Sequence, residues 1–220
     1  MSEPGPARFE IGTRGRAMMI ALGMIPTIHT ALAVLPIALA LTGSANGALV
    51  WLTPAVVYLL PVLAVRLFTT IRPLTLGQIS TDDPGFLAWW FTAQWQVLFV
   101  RLPFLEELIR LVPGLYSFWL RLWGARIGSL VYWAPGVMIL DRPLVRIGSR
   151  VIFGMGVRLN PHVIAPFDDG RVGLHIGHVT IGDDALVGGY SLLLPGSRIE
   201  AGGITKPFRS VHAPARDKVY

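Results

Sequence analysis

The sequence predicts a mixed fold in which transmembrane and interfacial helices precede a parallel β-helix. Three observations indicate this order. No side chain between Ala17 and Val65 carries a fixed charge, a stretch of 49 residues. Residues 73–124 then combine tryptophans with arginines, a mixture typical of the membrane interface. From Ile127 onward, large apolar residues recur every six positions, a period that neither a helix nor a simple strand produces.

Composition limits what such a chain can be. Its 220 residues suffice for one catalytic unit and an anchor. Hydrophobic residues make up 53% and the mean hydropathy is +0.57, which is too apolar for an ordinary soluble domain. The net charge of +6 comes mainly from arginines that flank apolar segments, so anionic lipid headgroups, not nucleic acid, are the expected partner. The chain has no cysteine, which excludes disulfides, thiolate zinc ligands and a cysteine nucleophile.

The uncharged stretch is about twice as long as the roughly 20 residues that cross a hydrocarbon core. Turn-forming residues at positions 43–47 interrupt it, so we expect a hairpin of two helices at residues 17–42 and 48–70 within a membrane segment of 17–72. Four prolines lie inside these spans and predict bent helices. His29 lies in the first span and either bonds to the neighbouring helix or marks a functional path through the membrane.

Arginines determine the expected orientation of this hairpin. Arg14 and Arg16 precede the first span, Arg66 and Arg72 close the second, and the turn between them has no Lys or Arg. The positive-inside rule therefore predicts that the N-terminal tail, residues 1–16, and everything after the hairpin are cytoplasmic. The expected localisation is an integral protein of the inner (cytoplasmic) membrane.

The segment 73–124 is expected to form interfacial amphipathic helices. Pro84 and Pro113 stand where helices start, and Gly124 stands where the segment ends, which predicts two or three short helices over 84–124. Five tryptophans alternate there with three arginines, as expected for a segment lying at the headgroup level. The alternative is that these tryptophans pack against the first coils of the next domain.

The repeat occupies residues 125–204 and is followed by a C-terminal tail, 205–220. Ten apolar residues fall in phase once two insertions are allowed: Ile127, Trp133, Ile139, Ile147, Phe153, Leu159, Ile181, Val187, Leu193 and Ile199. A small residue usually follows each of them. This pattern is typical of a triangular coil with an aliphatic core and glycine-like corners.

At this point the chain resembles the hexapeptide-repeat acyltransferases. Residues 179–184, 187–189 and 194–196 are similar to that family's second repeat block, and residues 205–207 with 213–215 are similar to a shortened closing tail. The resemblance implies a left-handed β-helix, a homotrimer with sites between subunits, and acyl transfer from acyl-CoA or acyl carrier protein. It implies no metal and no tightly bound cofactor.

The second insertion, residues 159–171, carries the polar groups that the repeat lacks. In the family that the chain resembles, a histidine before or within such a loop takes a proton from the acceptor, and His162 matches this position best. His175 and His178 compete for the same role, because the register across an irregular loop cannot be read from one sequence. Asp168 or Asp169 is expected to orient the imidazole, although Asp-Asp-Gly is also a common turn.

The remaining candidates would bind substrate or stabilise charge. Gly188 and Gly189 are candidate backbone donors to the oxyanion, or ordinary corner glycines. Asn160, and Asp141 with Arg142 in the first insertion, are candidates for substrate binding. The candidates for the donor's phosphate groups are Lys206 and Arg209.

The sequence therefore predicts an acyltransferase with a thioester donor and a hydroxyl or amine acceptor on a lipid or lipid-linked molecule at the inner membrane face. Two alternatives stay open. One is a non-enzymatic, membrane-tethered trimeric scaffold. The other is a γ-type carbonic anhydrase-like zinc enzyme with His162, His175 and His178 as ligands, although the later two histidines are three positions apart and that family spaces them by five.

Overall fold

A computed structural model describes residues 11–44, 46–167 and 169–213. Two helical segments, Thr13–Leu41 and Gly47–Ile71, are each long and apolar enough to span a membrane by length and composition. The first contains α1 (Thr13–Leu22) and α2 (Ile25–Leu41), and the second contains a 3₁₀ turn (Gly47–Trp51), α3 (Leu52–Tyr58) and α4 (Leu60–Ile71).

Both segments are interrupted near a proline, as expected from the missing backbone donor. Pro26 is the second residue of α2 and Pro61 is the second residue of α4. The two segments pack together through α2 and α3. His29 Nε2–H donates to the carbonyl of Val56 at 3.0 Å, so this histidine bonds to the neighbouring helix.

The segment between the spans and the repeat, which we call the platform, contains one strand and four helices: β1 (Gly77–Ile79), α5 (Pro84–Gln94), α6 (Val97–Arg101), α7 (Phe104–Arg110) and α8 (Leu115–Leu122). Two or three helices were expected. The additional break falls at Leu102, which takes a non-helical conformation before Pro103 because proline disfavours helical geometry in the preceding residue. Trp119 and Trp123 are buried in the core that continues into the repeat, so these two tryptophans pack against the following region.

Twelve short strands make up most of the repeat half: β2 (Arg126–Ile127), β3 (Tyr132–Trp133), β4 (Met138–Ile139), β5 (Val145–Ile147), β6 (Ile152–Phe153), β7 (Arg158–Leu159), β10 (Val179–Ile181), β11 (Leu186–Val187), β12 (Leu192–Leu193), β13 (Arg198–Ile199), β14 (Ile204–Thr205) and β15 (Ser210–Val211). They form three four-stranded parallel sheets, and consecutive strands of the repeat belong to the first, second and third sheet in turn. A separate antiparallel sheet joins β8 (His162–Pro166) and β9 (Val172–Ile176) to β1 of the platform.

The predicted fold class, with its left-handed β-helix, is wrong. Across the described residues the repeat forms three separate parallel sheets of two- and three-residue strands, together with helices, and no long coiled solenoid is present. The physical reason is the length of the repeat: its twelve strands are shared among three sheets, so that only four strands stack in each. The pairing continues across both insertions, since β5 pairs with β2 and with β10.

The periodic apolar residues nevertheless form the core between these sheets. In the first sheet, Ile127, Ile147, Ile181 and Ile199 pair in register. The other two sheets stack Trp133, Phe153 and Val187, and Ile139, Leu159 and Leu193, in the same way. Nearly all are buried, and this rigid stack holds the ends of β4 and β7, where the two insertions leave the repeat.

Candidate active site

The two insertions leave the repeat at the same corner. Ile139, at the end of β4, pairs in register with Leu159, at the end of β7. Asp141 follows two residues after Ile139, and His162 follows three residues after Leu159. Parallel pairing therefore brings these two side chains next to each other, although 21 positions separate them in the sequence.

His162 and Asp141 form a hydrogen-bonded pair between imidazole Nδ1 and carboxylate Oδ2. With Nδ1–H as the donor, Nε2 of the neutral ring keeps its lone pair and is the atom that can accept a proton. The other carboxylate oxygen, Oδ1, accepts a hydrogen bond from Nε1–H of Trp89 at 2.9 Å. The Trp89 ring also packs edge-on against the imidazole, with centroids 4.6 Å apart, so tautomer and ring orientation are both determined.

The environment of the pair raises the pKa of His162 above its ordinary value of 6.5. Burial is the largest single influence and by itself lowers that pKa, since it penalises the charged ring. The negative charge of Asp141 and its hydrogen bond together outweigh burial. The Asp141 side chain is 1% exposed and that of His162 is 21% exposed, so the base remains accessible while its carboxylate does not.

Asp141 is held in place through its neighbour Arg142. Asp141 has a left-handed backbone (φ 42°), a conformation that surrounding contacts must enforce in a non-glycine residue. The backbone N–H and Nη1 of Arg142 donate to Oε1 of Gln96 at 2.8 and 3.1 Å. Arg142 Nε donates to Oε1 of Glu106 at 2.9 Å, which ties the first insertion to α6 and α7 of the platform.

Glu106 is the centre of this buried network. Its second carboxylate oxygen accepts hydrogen bonds from the Tyr116 hydroxyl at 2.9 Å and from Arg110 Nη2 at 3.1 Å. Burial, and then the charge of Glu106, raise the pKa of Tyr116, so its hydroxyl stays protonated and donates. Because a buried charge is stable only when paired and hydrogen-bonded, the network is the main constraint on the first insertion.

The His162–Asp141 pair lies at a cavity of about 1370 Å³ between α2, α5 and α6. Most of its lining is apolar, and the ionisable lining residues that the structure describes are Arg101, Asp141 and His162. The cavity is larger than the usual 300–1,000 Å³ of a small-molecule pocket. It can hold an extended apolar ligand with its reacting end at the imidazole.

The other two candidate histidines lie elsewhere. His175 pairs with Val163 across the β8–β9 ladder, whereas His162 pairs with Ile176. Since successive side chains of a strand point to opposite faces, His175 is on the face opposite to His162, where it is buried against Phe167.

His178 is bonded outside the cavity as well. Its Nδ1–H donates to the Leu144 carbonyl at 3.1 Å, and Arg146 Nη2 contacts its Nε2 at 2.8 Å. Burial, and the charges of Arg146 and Arg126, lower its pKa. Within the part of the chain that the structure describes, no group of three His, Cys, Asp or Glu side chains is placed to hold a metal ion.

Asp169, one of the two predicted orienting carboxylates, is not bonded to His162. Asp169 pairs with Arg171 at 2.8 Å at the exposed end of the β8–β9 hairpin, and Asp168 lies outside the described residues. Asp141, which sequence reasoning assigned to substrate binding, occupies the orienting position instead. Arg142, assigned with it, is buried in the supporting network.

The remaining candidates are not among the described cavity-lining residues. The Gly188 N–H donates to Thr205, at 3.1 Å to the carbonyl and 2.9 Å to Oγ1, so it is already bonded. Gly189 accepts from the Phe208 N–H through its carbonyl at 3.0 Å. Lys206 and Arg209 are exposed beside β15. Asn160 precedes the hairpin, and its backbone N–H donates to Leu193 at 2.8 Å.

Sequence reasoning missed Trp89, Gln96 and Glu106, as well as the wall that α2 contributes to the cavity. One available signal would have found the Asp141–His162 pair: both insertions follow the third apolar residue of a repeat block, Ile139 in one case and Leu159 in the other. In a stacked repeat, equivalent positions are neighbours.

A scan against models of known protein families finds no match to this chain, and a search of curated proteins likewise finds no match.

Proposed function

We propose that this protein is an acyltransferase that uses His162 as general base and Asp141 as the carboxylate that orients it. The observation that carries the proposal is the hydrogen-bonded His162–Asp141 pair at the edge of a large apolar cavity. An orienting carboxylate behind a histidine is the usual arrangement for activating a nucleophile. The apolar cavity suits a substrate with a long hydrocarbon portion.

The reaction balances with these two residues alone. Nε2 of His162 takes the proton from an acceptor hydroxyl or amine, whose oxygen or nitrogen attacks the thioester carbonyl carbon. The carbon–sulfur bond then breaks, and the thiolate receives the proton held by the imidazolium. The products are an ester or amide and a free thiol, from coenzyme A or acyl carrier protein. Asp141 stabilises the imidazolium between the two proton transfers.

A lipid or lipid-linked acceptor follows from the position of the cavity. One of its walls, α2, belongs to a segment apolar enough to span a membrane. A tethered enzyme gains effective concentration when its substrate shares the same surface. The flanking arginines favour a cytoplasmic location for both termini and for the repeat half, so we place the reaction at the inner face of the membrane, with no nucleic acid partner.

A homotrimer is part of the same proposal. On the outer face of the second parallel sheet, Tyr132, Ile152, Leu186 and Ile204 stand in register and are all exposed. Exposed apolar patches of this kind mark interaction surfaces. The equivalent residues of the first sheet are Arg126, Arg146, Thr180 and Arg198. This difference supports the apolar strip as the contact between copies.

Thiol release tests the reaction. Because the protein has no cysteine, a thiol reagent reads coenzyme A without background when purified protein is incubated with acyl-CoA donors and a membrane lipid extract. His162→Ala should lower the rate by about 10²- to 10⁴-fold, the usual contribution of general base catalysis. His178→Ala is the matched control and should leave it unchanged, because His178 is bonded to Leu144 and Arg146.

Three results would overturn the proposal. Equal activity of wild type and His162→Ala would remove the assigned base. Stoichiometric zinc in the purified protein, with zinc-dependent hydration of carbon dioxide and no thiol release, would favour the zinc enzyme. Absence of thiol release with both acyl-CoA and acyl carrier protein donors, with a cellular role that survives His162→Ala, would favour the non-enzymatic scaffold.

A further inference from the structure

One wall of the cavity is a single face of α2. Thr27, Thr30, Ala31 and Val34 all line it, and their spacing of three and four residues places them on one side of a helix. Their side chains are short, which leaves open space between α2 and the tryptophans of α5. Leu32, on the other side of the same helix, is exposed and is not among the described lining residues.

This wall is largely apolar, although it carries the hydroxyl groups of Thr27 and Thr30. The Thr30 hydroxyl donates to the Pro26 carbonyl one turn earlier, at 2.8 Å, so its donor is already used within the helix. None of the ionisable lining residues lies on α2, since Arg101, Asp141 and His162 belong to other elements. A ligand lying along α2 therefore meets mainly hydrocarbon, and the described ionisable groups of the cavity come from other elements.

We infer that the α2 wall is the acyl-chain subsite of the enzyme and that Ala31 helps to set the longest chain that fits. This inference rests on the proposed function, because it assigns the substrate of the same site: a fatty acyl chain whose reacting end lies at His162. The helix rises about 10 Å between Thr27 and Val34, at 1.5 Å per residue. An extended chain advances about 1.25 Å per carbon for bonds of ~1.5 Å, so this wall alone contacts roughly eight carbons.

A variant that fills the subsite tests the inference. Ala31→Trp adds a bulky ring at an exposed lining position, where no packed core has to rearrange. The matched control is Leu32→Trp, which adds a ring to the outer side of the same helix. The chain enters with either the donor or the acceptor. Rates are therefore measured with butyryl-, octanoyl- and palmitoyl-CoA at one acceptor, and then with short- and long-chain lysophospholipids at one donor.

We expect Ala31→Trp to lower the rate with palmitoyl-CoA relative to butyryl-CoA, or with the long relative to the short lysophospholipid. Each methylene excluded from the cavity weakens binding about fourfold. Exclusion of two methylenes therefore lowers the rate with the long chain, relative to the short chain, about 15-fold. If the ratio of long-chain to short-chain rates changes in the acyl-CoA series, the chain belongs to the donor. If it changes in the lysophospholipid series, the chain belongs to the acceptor. Leu32→Trp should keep the wild-type ratio. Equal losses at all chain lengths in Ala31→Trp, or equal changes in both variants, would overturn the assignment.

A second readout separates this inference from the proposed function. Palmitic acid with a diazirine near its chain end is photolysed with wild-type protein, and the labelled peptides are mapped. Labelling of α2 and α6 that unlabelled palmitate competes away, and that Ala31→Trp but not Leu32→Trp abolishes, supports the subsite whether or not thiol is released. Thiol release without competable labelling would leave the enzyme proposal intact and overturn the subsite.

Discussion

The two insertions meet at one corner of the repeat, but they are held in place by different means. The first contains Asp141 and Arg142, both almost completely buried and bonded to the platform. The second is the β8–β9 hairpin, which is held by its own ladder and by β1 and ends in an exposed turn. In this arrangement the carboxylate of Asp141 is buried and fixed, while the imidazole of His162, which we propose as the base, stays accessible.

The largest expected effect comes from breaking the support of the first insertion. Arg142→Met leaves Glu106 and Gln96 buried without one of their partners, and removing one member of a buried pair typically costs about 3–5 kcal/mol of stability. We expect about 3 kcal/mol, since Arg110 and Tyr116 still contact Glu106. Chemical denaturation in detergent measures the free energy of unfolding. Arg198→Met, which removes an exposed pair with Glu200, should cost less than about 1 kcal/mol, and equal costs would contradict the comparison.

Asp141→Asn removes the charge behind the base. In the wild type the pKa of His162 is raised, so the acid limb of kcat/KM should lie above pH 6.5, because protonated His162 cannot accept a proton. Without the Asp141 charge, burial remains and lowers the pKa, so the limb should move to lower pH while the maximal rate falls about 100-fold. A pH profile of thiol release checks both. If the acid limb of the pH profile is the same in Asp141→Asn and the wild type, Asp141 does not act on the base.

Trp89→Phe tests the second contact to the carboxylate. It keeps an aromatic ring against His162 but removes the N–H that donates to Asp141. Hydrogen bonds to charged groups contribute about 1.5–3 kcal/mol, so we expect the rate to fall about tenfold. Trp90→Phe is the control, because Trp90 lines the same cavity but donates to the Met19 carbonyl. Similar losses in both variants would mean that ring shape, and not the hydrogen bond, matters.

The smallest effect is expected at the exposed end of the second insertion. Asp169 pairs with Arg171 in solvent, and exposed substitutions usually change free energies by no more than about 0.5 kcal/mol. The thiol-release rate of Asp169→Ala should therefore stay within about twofold of the wild type. A loss as large as that of Asp141→Asn would restore the orienting role that the sequence suggested for Asp169.

The sequence predicted which residues face inward in the repeat, because a local period reports burial at each position. It did not predict the fold class, since the period does not say how many strands stack in each sheet. His162 was predicted to be the base because it lies in a polar loop. The contact of Asp141 with His162 was not predicted, because it depends on the register between β4 and β7. Trp89 and Glu106 lie in helices α5 and α7. The sequence pattern of a helix predicts its local structure but not its contacts with a distant segment such as the first insertion.

Three regions of the molecule contribute to the proposed site. The repeat half carries His162 and Asp141, the platform carries Trp89 and Glu106, and the first spanning segment carries the apolar wall. In protein-engineering terms, the active site is not portable. A repeat half excised after position 124 would keep His162 but lose the indole that bonds to Asp141 and the wall that we propose for the acyl chain, so selection on the proposed chemistry would act on all three regions together.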